Sequence, residues 1–298
     1  MKIFFTVLCI LLTSIVQFGA KIEINPAYDS NYVMSSSVEH QGETYCVVYM
    51  KRTDKKVRAK YFAKKLYGKS VSNRYQEWSE GRDIILYSSG TYMDGSFDQE
   101  NAGIVGLTVD NGKVINEIVE VNRMEGLVIV YPHGGITVSN ISEGNLELTG
   151  GSAIPGKLYD LRKGNDKVRF LEWAKDQRAT VFQTHLLVHN NELKFKPNYT
   201  SKSSARERRF LAIGKDYAGK EIQCIIHKPK NATLYDASSK VLNFLKTRKR
   251  MTVTALLNLD TGAQDVFRLY NKSGSVNNMV TGRTDISNAR NLLVYYFE

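Results

Sequence analysis

Three stretches of the chain gather the side chains that could do chemistry, and in each an apolar run ends in polar or glycine residues. The first is Ser88-Ser-Gly-Thr-Tyr-Met-Asp94 after Ile84–Tyr87, followed by Gly106-Leu-Thr-Val-Asp-Asn-Gly-Lys113. The second is Gln183-Thr-His-Leu-Leu-Val-His-Asn-Asn-Glu-Leu193, which leads to Arg209-Phe-Leu-Ala-Ile-Gly214. The third is Leu257-Asn-Leu-Asp-Thr-Gly262. Strand ends are where sheets commonly present functional groups. A hydroxyl (Ser89), an amide (Gln183), an imidazole (His185), a guanidinium (Arg209) and a carboxylate (Asp260) all stand at such ends. The imidazole is the group among them that titrates near neutral pH.

Other spacings carry less chemistry. His185 and His189 share one face of an extended run, which holds them about 13 Å apart, too far for one ion. There is no Cys-x-x-Cys pair, so the spacing argues against a structural zinc site, and no metal is expected. Asp94, Asp98 and Glu100 form an acidic loop without the spacing of a recognised calcium loop, and read as surface. After an apolar leader two cysteines remain, Cys46 and Cys224, both in strand-like runs. A disulfide and two buried thiols are both compatible with them.

The elements that must position these groups are mostly strands. Short β-branched and aromatic runs recur at 45–50, 84–87, 105–109, 127–131, 136–141, 181–188, 210–213, 222–227, 255–259 and 292–297. Asp110-Asn-Gly112 between two of these predicts a tight hairpin, because Asn-Gly readily takes positive φ angles. Helical spacing appears at Val168, Leu171 and Ala174, with Asn165-Asp166 as the expected cap. It appears again from Thr233 or Leu234 through Leu245, with Lys246–Arg250 at the end where positive charge suits the helix dipole. A shorter helix is expected around Tyr75 and Trp78. Few helices among many strands, with no linker between halves, predict a single α+β domain with a large mixed β-sheet core.

Composition agrees with a folded chain: 298 residues, 42% hydrophobic, 24% charged, with 5 prolines against 22 glycines. Disordered and proline-rich classes are excluded. The net charge of +11 favours an anionic partner. It is concentrated in 51–69, with nine basic residues and one acidic, and in 194–250, with fifteen basic and four acidic. No ribonucleoprotein strand or helix-turn-helix pattern accompanies it, which argues against nucleic acid as the partner. Met1–Ala20 has the lone Lys2, the apolar run and the small Gly19-Ala20 pair of a secretory signal peptide. The mature chain is then 21–298, secreted or periplasmic, with no stretch approaching the roughly 18 apolar residues of a membrane span. Asn-x-Ser/Thr sequons occur at Asn140, Asn198, Asn231 and Asn271.

From about Ile84 to Tyr270, the order and spacing of these stretches resembles the phosphodiester glycosidase family. That family comprises N-acetylglucosamine-1-phosphodiester α-N-acetylglucosaminidase-like domains and their bacterial secreted relatives. Ser89-Gly-Thr-Tyr92 resembles the family's Asn-Gly-Gly-Phe-Phe loop, Gly106–Lys113 its Gly-Leu-x-x-x-x-Gly-Lys turn, and Tyr131-Pro-His-Gly-Gly135 its Pro-Asn-Gly turn. Gln183, Leu187-Val188, Arg209 and Ile213-Gly214 resemble its Gln-Ser-Gly-Pro-x-Leu-Val segment and the arginine before an Ile-Gly strand. Asn258-Leu-Asp-Thr-Gly-Ala-Gln264 is similar to its Asn-Leu-Asp-Gly-Gly-x-Ser signature, with Thr261 and Gln264 as departures. Thr184-His185-Leu186 likewise stands where the family has Ser-Gly-Pro.

The resemblance implies a secreted hydrolase that cleaves a glycosyl-phosphate bond, acting on a phosphorylated sugar or other anionic glycan. Such a reaction develops oxocarbenium character while a phosphate leaves, so it needs a carboxylate near the sugar and cations near the phosphate. By resemblance Asp260 and Arg209 fill those roles, and His185 serves as a substitute acid or base. Ser89, Gln183, Asn258 and Gly262 would orient the substrate. The cofactor is left unknown. The departures at Thr261 and Gln264 point to the alternative, a catalytically inactive relative that binds phosphorylated glycans or envelope polymers. Basic charge alone leaves a third reading, a nucleic-acid binder with steep salt dependence.

Overall fold

Period-two alternation of apolar residues builds the protein from strands, and the pairing partners of those strands sort them into three large sheets. The structure, a computed structural model, describes residues 32–52, 56–64, 66–93, 103–121, 124–194, 205–262 and 265–298. The expected leader Met1–Ala20, the acidic residues Asp94, Asp98 and Glu100, the sequon at Asn198 and the position Gln264 lie outside the described residues.

The largest sheet has seven strands. Its order is β1 (Val33–His40), β2 (Glu43–Lys51), β15 (Glu221–Ala232), β14 (Arg206–Lys215), β16 (Thr252–Leu259), β12 (Leu186–His189) and β13 (Glu192–Leu193). A second sheet runs β18 (Val276–Asn277), β17 (Phe267–Tyr270), β4 (Asp83–Ser88), β19 (Leu292–Phe297), β3 (Val57–Phe62). The third runs β6 (Lys113–Asn116), β5 (Thr108–Asp110), β11 (Thr180–Thr184), β7 (Gly126–Val130), β8 (Ile136–Asn140). A short ribbon pairs β10 (Leu158–Tyr159) with β9 (Leu146–Glu147).

One face of each sheet meets the others in a central core, and the other face carries a helix. In β14, Leu211 and Ile213 point to the centre, where Val48, Leu257, Val128, Phe182, Leu86, Leu269 and Leu293 join them. Their neighbours Phe210 and Ala212 face α3 (Leu234–Thr247) through Val241, Leu242 and Leu245. The third sheet likewise covers α2 (Gly164–Asp176) through Phe170, Trp173 and Val181. The second covers α1 (Val71–Ser79) through Val71, Tyr75, Phe62 and Tyr87. Each large side chain taken fully from water in this way contributes about 1.5–3 kcal/mol, so the two-faced alternation is strongly selected by burial.

The α+β class and the large sheet core are as the alternation predicts, but the pairing differs in kind. Every strand pair among the described residues is antiparallel, where a mixed sheet was expected. The helices do not connect parallel neighbours; they pack on sheet faces. The hairpin at Asp110-Asn-Gly112 forms with Asn111 at φ 51° and Gly112 at φ 80°. Thr233 caps α3, accepting from the Asp236 amide at 3.1 Å. The cap of α2 differs from expectation: Lys163 precedes the helix without a side-chain cap bond. Asp166 sits in the first turn instead, accepting from the Asp160 amide and pairing with Lys157 at 2.7 Å.

Both cysteines are free thiols. Cys46 pairs across the ladder with His227 and Cys224 with Tyr49, so the two lie three rungs apart on adjacent strands. No helix among the described residues is long and apolar enough to cross a membrane.

Candidate active site

The three chemically interesting stretches are the places where the chain passes from one sheet to another. Ser88–Met93 leaves β4 in the second sheet on the way to β5 in the third. The strand-like run 181–188, which reads as one strand in the sequence, breaks at His185, so that β11 belongs to the third sheet and β12 to the first. Asp260–Asp265 carries the chain from β16 in the first sheet to β17 in the second. A strand that changes sheets must break its ladder, and that frees polar groups to bond across the junction.

Those bonds tie the crossovers to one another. The Asp260 amide donates to the Gly90 carbonyl at 3.0 Å, and the Asn258 amide to the His185 carbonyl at 3.1 Å. The Thr91 hydroxyl donates to the Gln183 carbonyl. The Thr184 hydroxyl reaches the Asn258 carbonyl at 2.5 Å. Ser89 bridges to the end of the third crossover, its Oγ accepting from the Val266 amide at 2.8 Å. The ring of Tyr92 meets that of His185 edge-on, with centroids 5.0 Å apart. Thus Ser89, Gln183, His185, Asn258, Asp260 and Gly262 are brought into one neighbourhood.

Within it, burial divides the residues by what they can reach. Gln183 is fully buried, and all four of its amide positions are taken by main chain. Its Oε1 accepts from Leu107 (2.6 Å) and Glu120 (3.0 Å), and its Nε2 donates to the carbonyls of Glu120 (2.9 Å) and Met124 (2.8 Å). It therefore clamps the 106–124 segment rather than offering an amide to a ligand. Gly106, at φ 83°, allows that approach, since a Cβ there would stand 2.9 Å from Gln183 Cβ. Ser89 is buried with its hydroxyl on Val266, and Asn258 is buried on β16. The Gly262 amide is spent on Asp260 Oδ1 at 2.8 Å.

Arg209 is placed differently from the sequence expectation. It follows the parity of Leu211 and Ile213, so it points into the end of the central core and is completely buried. There it meets Asp265, also completely buried, with Nη1–Oδ1 at 2.5 Å and Nη2–Oδ2 at 3.4 Å. The Phe267 ring lies 4.4 Å from its guanidinium carbon. Asp265 cancels the charge, so this cation is a strut between the first and second sheets and does not face a ligand. Beside it on β15, His227 is held neutral: burial, then the Arg209 charge, lowers its pKa to about 4. The basic stretch 194–250 is thus partly internal; Lys228 is buried too, on Glu43 at 2.8 Å.

Asp260, His185 and Tyr92 are only partly buried. Among the described residues the Asp260 carboxylate has one hydrogen-bond partner, the Gly262 amide. Burial raises its pKa above the ordinary carboxylate value, the Gly262 bond opposes this, and the charge of Asp265 adds to the rise. A carboxyl shifted toward neutrality in this way is suited to accept or deliver a proton. Burial, then Asp260, also raises the Tyr92 phenol, so it stays protonated and can donate. The Arg208 and Arg206 charges act on the same hydroxyl.

Tyr92, Asp265 and Asn291 were not singled out in the sequence. Asn291 Oδ1 accepts from the Gly90 and Thr91 amides at 2.8 and 3.1 Å, and its Nδ2 returns a bond to the Thr91 carbonyl at 3.0 Å. Local spacing offered no signal for Asn291 or Asp265, since their partners are distant in sequence. Tyr92 lies within the Ser88–Asp94 stretch. His189 pairs with Glu143 at 2.9 Å, away from His185, and no cluster of three metal-ligating side chains occurs among the described residues. A surface cavity of about 930 Å3 at the start of α2, lined by Lys157, Lys163 and Arg169 among others, includes none of these site residues.

The fold and site thus define an α+β domain of three helix-backed antiparallel sheets, with a partly buried carboxyl where the crossovers meet. No protein-family model matches the chain, and no curated protein does. Among solved structures, it is similar to the catalytic domain of zebrafish N-acetylglucosamine-1-phosphodiester alpha-N-acetylglucosaminidase, auto-inhibited by its pro-peptide. The identity is 13% and the TM-score 0.48, over 92% of this chain and 87% of that one. It is also similar to a hypothetical protein from Synechocystis (12% identity, TM-score 0.44, 89% of this chain and 62% of that one). A Burkholderia pseudomallei protein has 10% identity and a TM-score of 0.44, over 86% of this chain and 74% of that one.

Proposed function

We propose that this protein is an exported hydrolase of sugar phosphodiesters, carried out of the cytoplasm by Met1–Ala20, with Asp260 as its central catalytic residue. The observation that carries the reading is the meeting of three crossovers around a partly buried carboxyl of raised pKa that has one main-chain partner. In this reading Asp260 takes the proton of the attacking water, or stabilises the oxocarbenium carbon, and the phosphate monoester departs with the bonding electrons. Because that phosphate is already a good leaving group, a strong acid opposite Asp260 is not required. His185, whose ring meets that of Tyr92 edge-on, would be the assisting acid or base. Gln183, Ser89, Asn258 and Arg209 act by holding the crossovers in place.

A second reading, a binding protein for phosphorylated glycans, is favoured by one feature: Arg209, the cation expected at the phosphate, is sealed against Asp265. The discriminating experiment is turnover of a panel of aryl and methyl N-acetylglucosamine 1-phosphodiesters by the mature protein and by Asp260→Ala. Release of the free sugar, lost about a hundredfold or more in the variant, supports hydrolysis. Saturable binding without release of sugar from any diester would replace it with the second reading.

A further inference from the structure

The rung of the first sheet that holds Arg209 carries a thiol and an imidazole on the same face. Where β2 pairs with β15, Cys46 stands directly opposite His227, and where β15 pairs with β14, His227 stands directly opposite Arg209. Strand parity turns all three toward the central core, since Val48, Ile225 and Leu211, two residues away on the three strands, are members of it. Directly opposed residues on one face have Cβ atoms about 4.5–5.5 Å apart, so a sulfur and a ring nitrogen can meet on one atom between them. We propose that Cys46 and His227 form a binding site for one soft monovalent cation, copper(I), with the Met279 carbonyl as a weak third donor.

The two side chains are little used by the fold. The Cys46 thiol faces the Met279 carbonyl at 3.8 Å, the length of a weak sulfur hydrogen bond. His227 keeps only 7% of its surface exposed, yet its Nδ1 is buried with no hydrogen-bond partner among the described residues. A buried polar atom left in this way costs about 1–3 kcal/mol, which a bond to a cation recovers. Burial, then the Arg209 charge, keeps the ring neutral, and the neutral ring is the one with a lone pair to give. Cys46 is half-buried, so an ion can enter beside it, whereas Cys224 is sealed on the helix-backed face of the same sheet. Burial raises the Cys46 thiol pKa against the pull of Ser37, so at neutral pH the sulfur keeps its proton until a cation displaces it.

Donor type and charge together select the ion. Thiolate sulfur with imidazole nitrogen is a soft set, which favours copper(I). Two side chains and one carbonyl fall short of the four ligands of a structural zinc site. Arg209 is answered by Asp265 at 2.5 Å, so the rung carries no net charge beforehand. On binding, the sulfur–hydrogen bond breaks, the sulfur–copper bond forms from the same electron pair, the proton passes to water, and copper stays in the monovalent state. A monovalent ion thus leaves the place neutral. A divalent ion would add an unanswered positive charge in a desolvated place beside a guanidinium. Cys46 and His227 are far apart in the chain, so spacing in the sequence gave no sign of the pair.

The test is competition for copper(I) between the mature protein and a chromophoric copper(I) chelator, without oxygen, after thermal melts establish that each variant is folded. Wild type and Cys224→Ser should each withdraw one equivalent and release one proton per ion. Cys46→Ser should withdraw none, and His227→Gln should hold the ion at least about tenfold more weakly. Wild type treated with a maleimide, which reaches the half-buried Cys46 and spares the buried Cys224, gives the same reading without a substitution and should also withdraw none. No withdrawal by wild type, or undiminished withdrawal after Cys46 is replaced or blocked, overturns the site. Wild-type affinity in His227→Gln overturns the pairing and leaves a bare thiol. None of these readings depends on turnover at Asp260.

Discussion

Replacing Asp265 by alanine tests whether the fold is held together at the site by a buried charge pair. Arg209 and Asp265 are both without exposed surface, joined at 2.5 and 3.4 Å, and they link β14 of one sheet to the start of β17 in another. Removing the carboxylate leaves a guanidinium buried against Phe267, with Nε already lacking a partner among the described residues. Breaking one partner of such a pair costs about 3–5 kcal/mol. For a chain of this length that lowers Tm by about 6–10 °C, at about 2 °C per kcal/mol. Urea unfolding followed by tryptophan fluorescence measures it. The double variant Arg209→Met with Asp265→Leu should recover most of the loss, since an apolar pair of similar volume replaces two desolvated charges. A single-variant loss under about 1 kcal/mol would show the pair to be solvated or open rather than a buried strut.

Three further outcomes follow from other contacts. Gln183→Leu strands two amides and two carbonyls of the 106–124 segment; at about 1–3 kcal/mol per unpaired group it should cost at least about 3 kcal/mol in urea unfolding. Gly112→Ala places a Cβ 2.9 Å from the Lys175 carbonyl at φ 80° and should cost about 1–3 kcal/mol in the same assay. His227 is neutral in the folded state with a pKa of about 4 against 6.5 unfolded, so the unfolded chain binds the extra proton between those values. Its contribution is present above pH 6.5 and about 3 kcal/mol is lost as pH falls to 4. His227→Phe should flatten that part of the stability-against-pH curve relative to wild type, and parallel curves would show His227 to be solvated.

Much of what was local in the chain was legible beforehand. Asn111-Gly112 formed its hairpin because two positive φ angles are a property of those residues themselves, and Thr233 capped α3 for a similarly local reason. The polar ends of 84–87, 181–188 and 255–259 marked the neighbourhood because polar groups at strand ends are free of the ladder. Which of them faces a ligand was not legible. That depends on parity and on partners far away: Arg209 turned inward because it shares a face with Leu211, and its counter-charge lies 56 residues on. Asn291 serves the Gly90–Thr91 loop from 200 residues away. The division into three sheets was hidden for the same reason, since β2 finds β15 across most of the chain, and the break at His185 is a change of sheet within a stretch that reads as a single strand.

Whether Asp260 works on a glycosyl-phosphate bond is decided by binding and turnover of one N-acetylglucosamine 1-phosphodiester in wild type and Asp260→Asn. The asparagine variant should bind the diester at least as tightly as wild type and hydrolyse it about a hundredfold or more slowly. Wild-type turnover in Asp260→Asn would contradict it, and would move the chemistry away from the crossover junction.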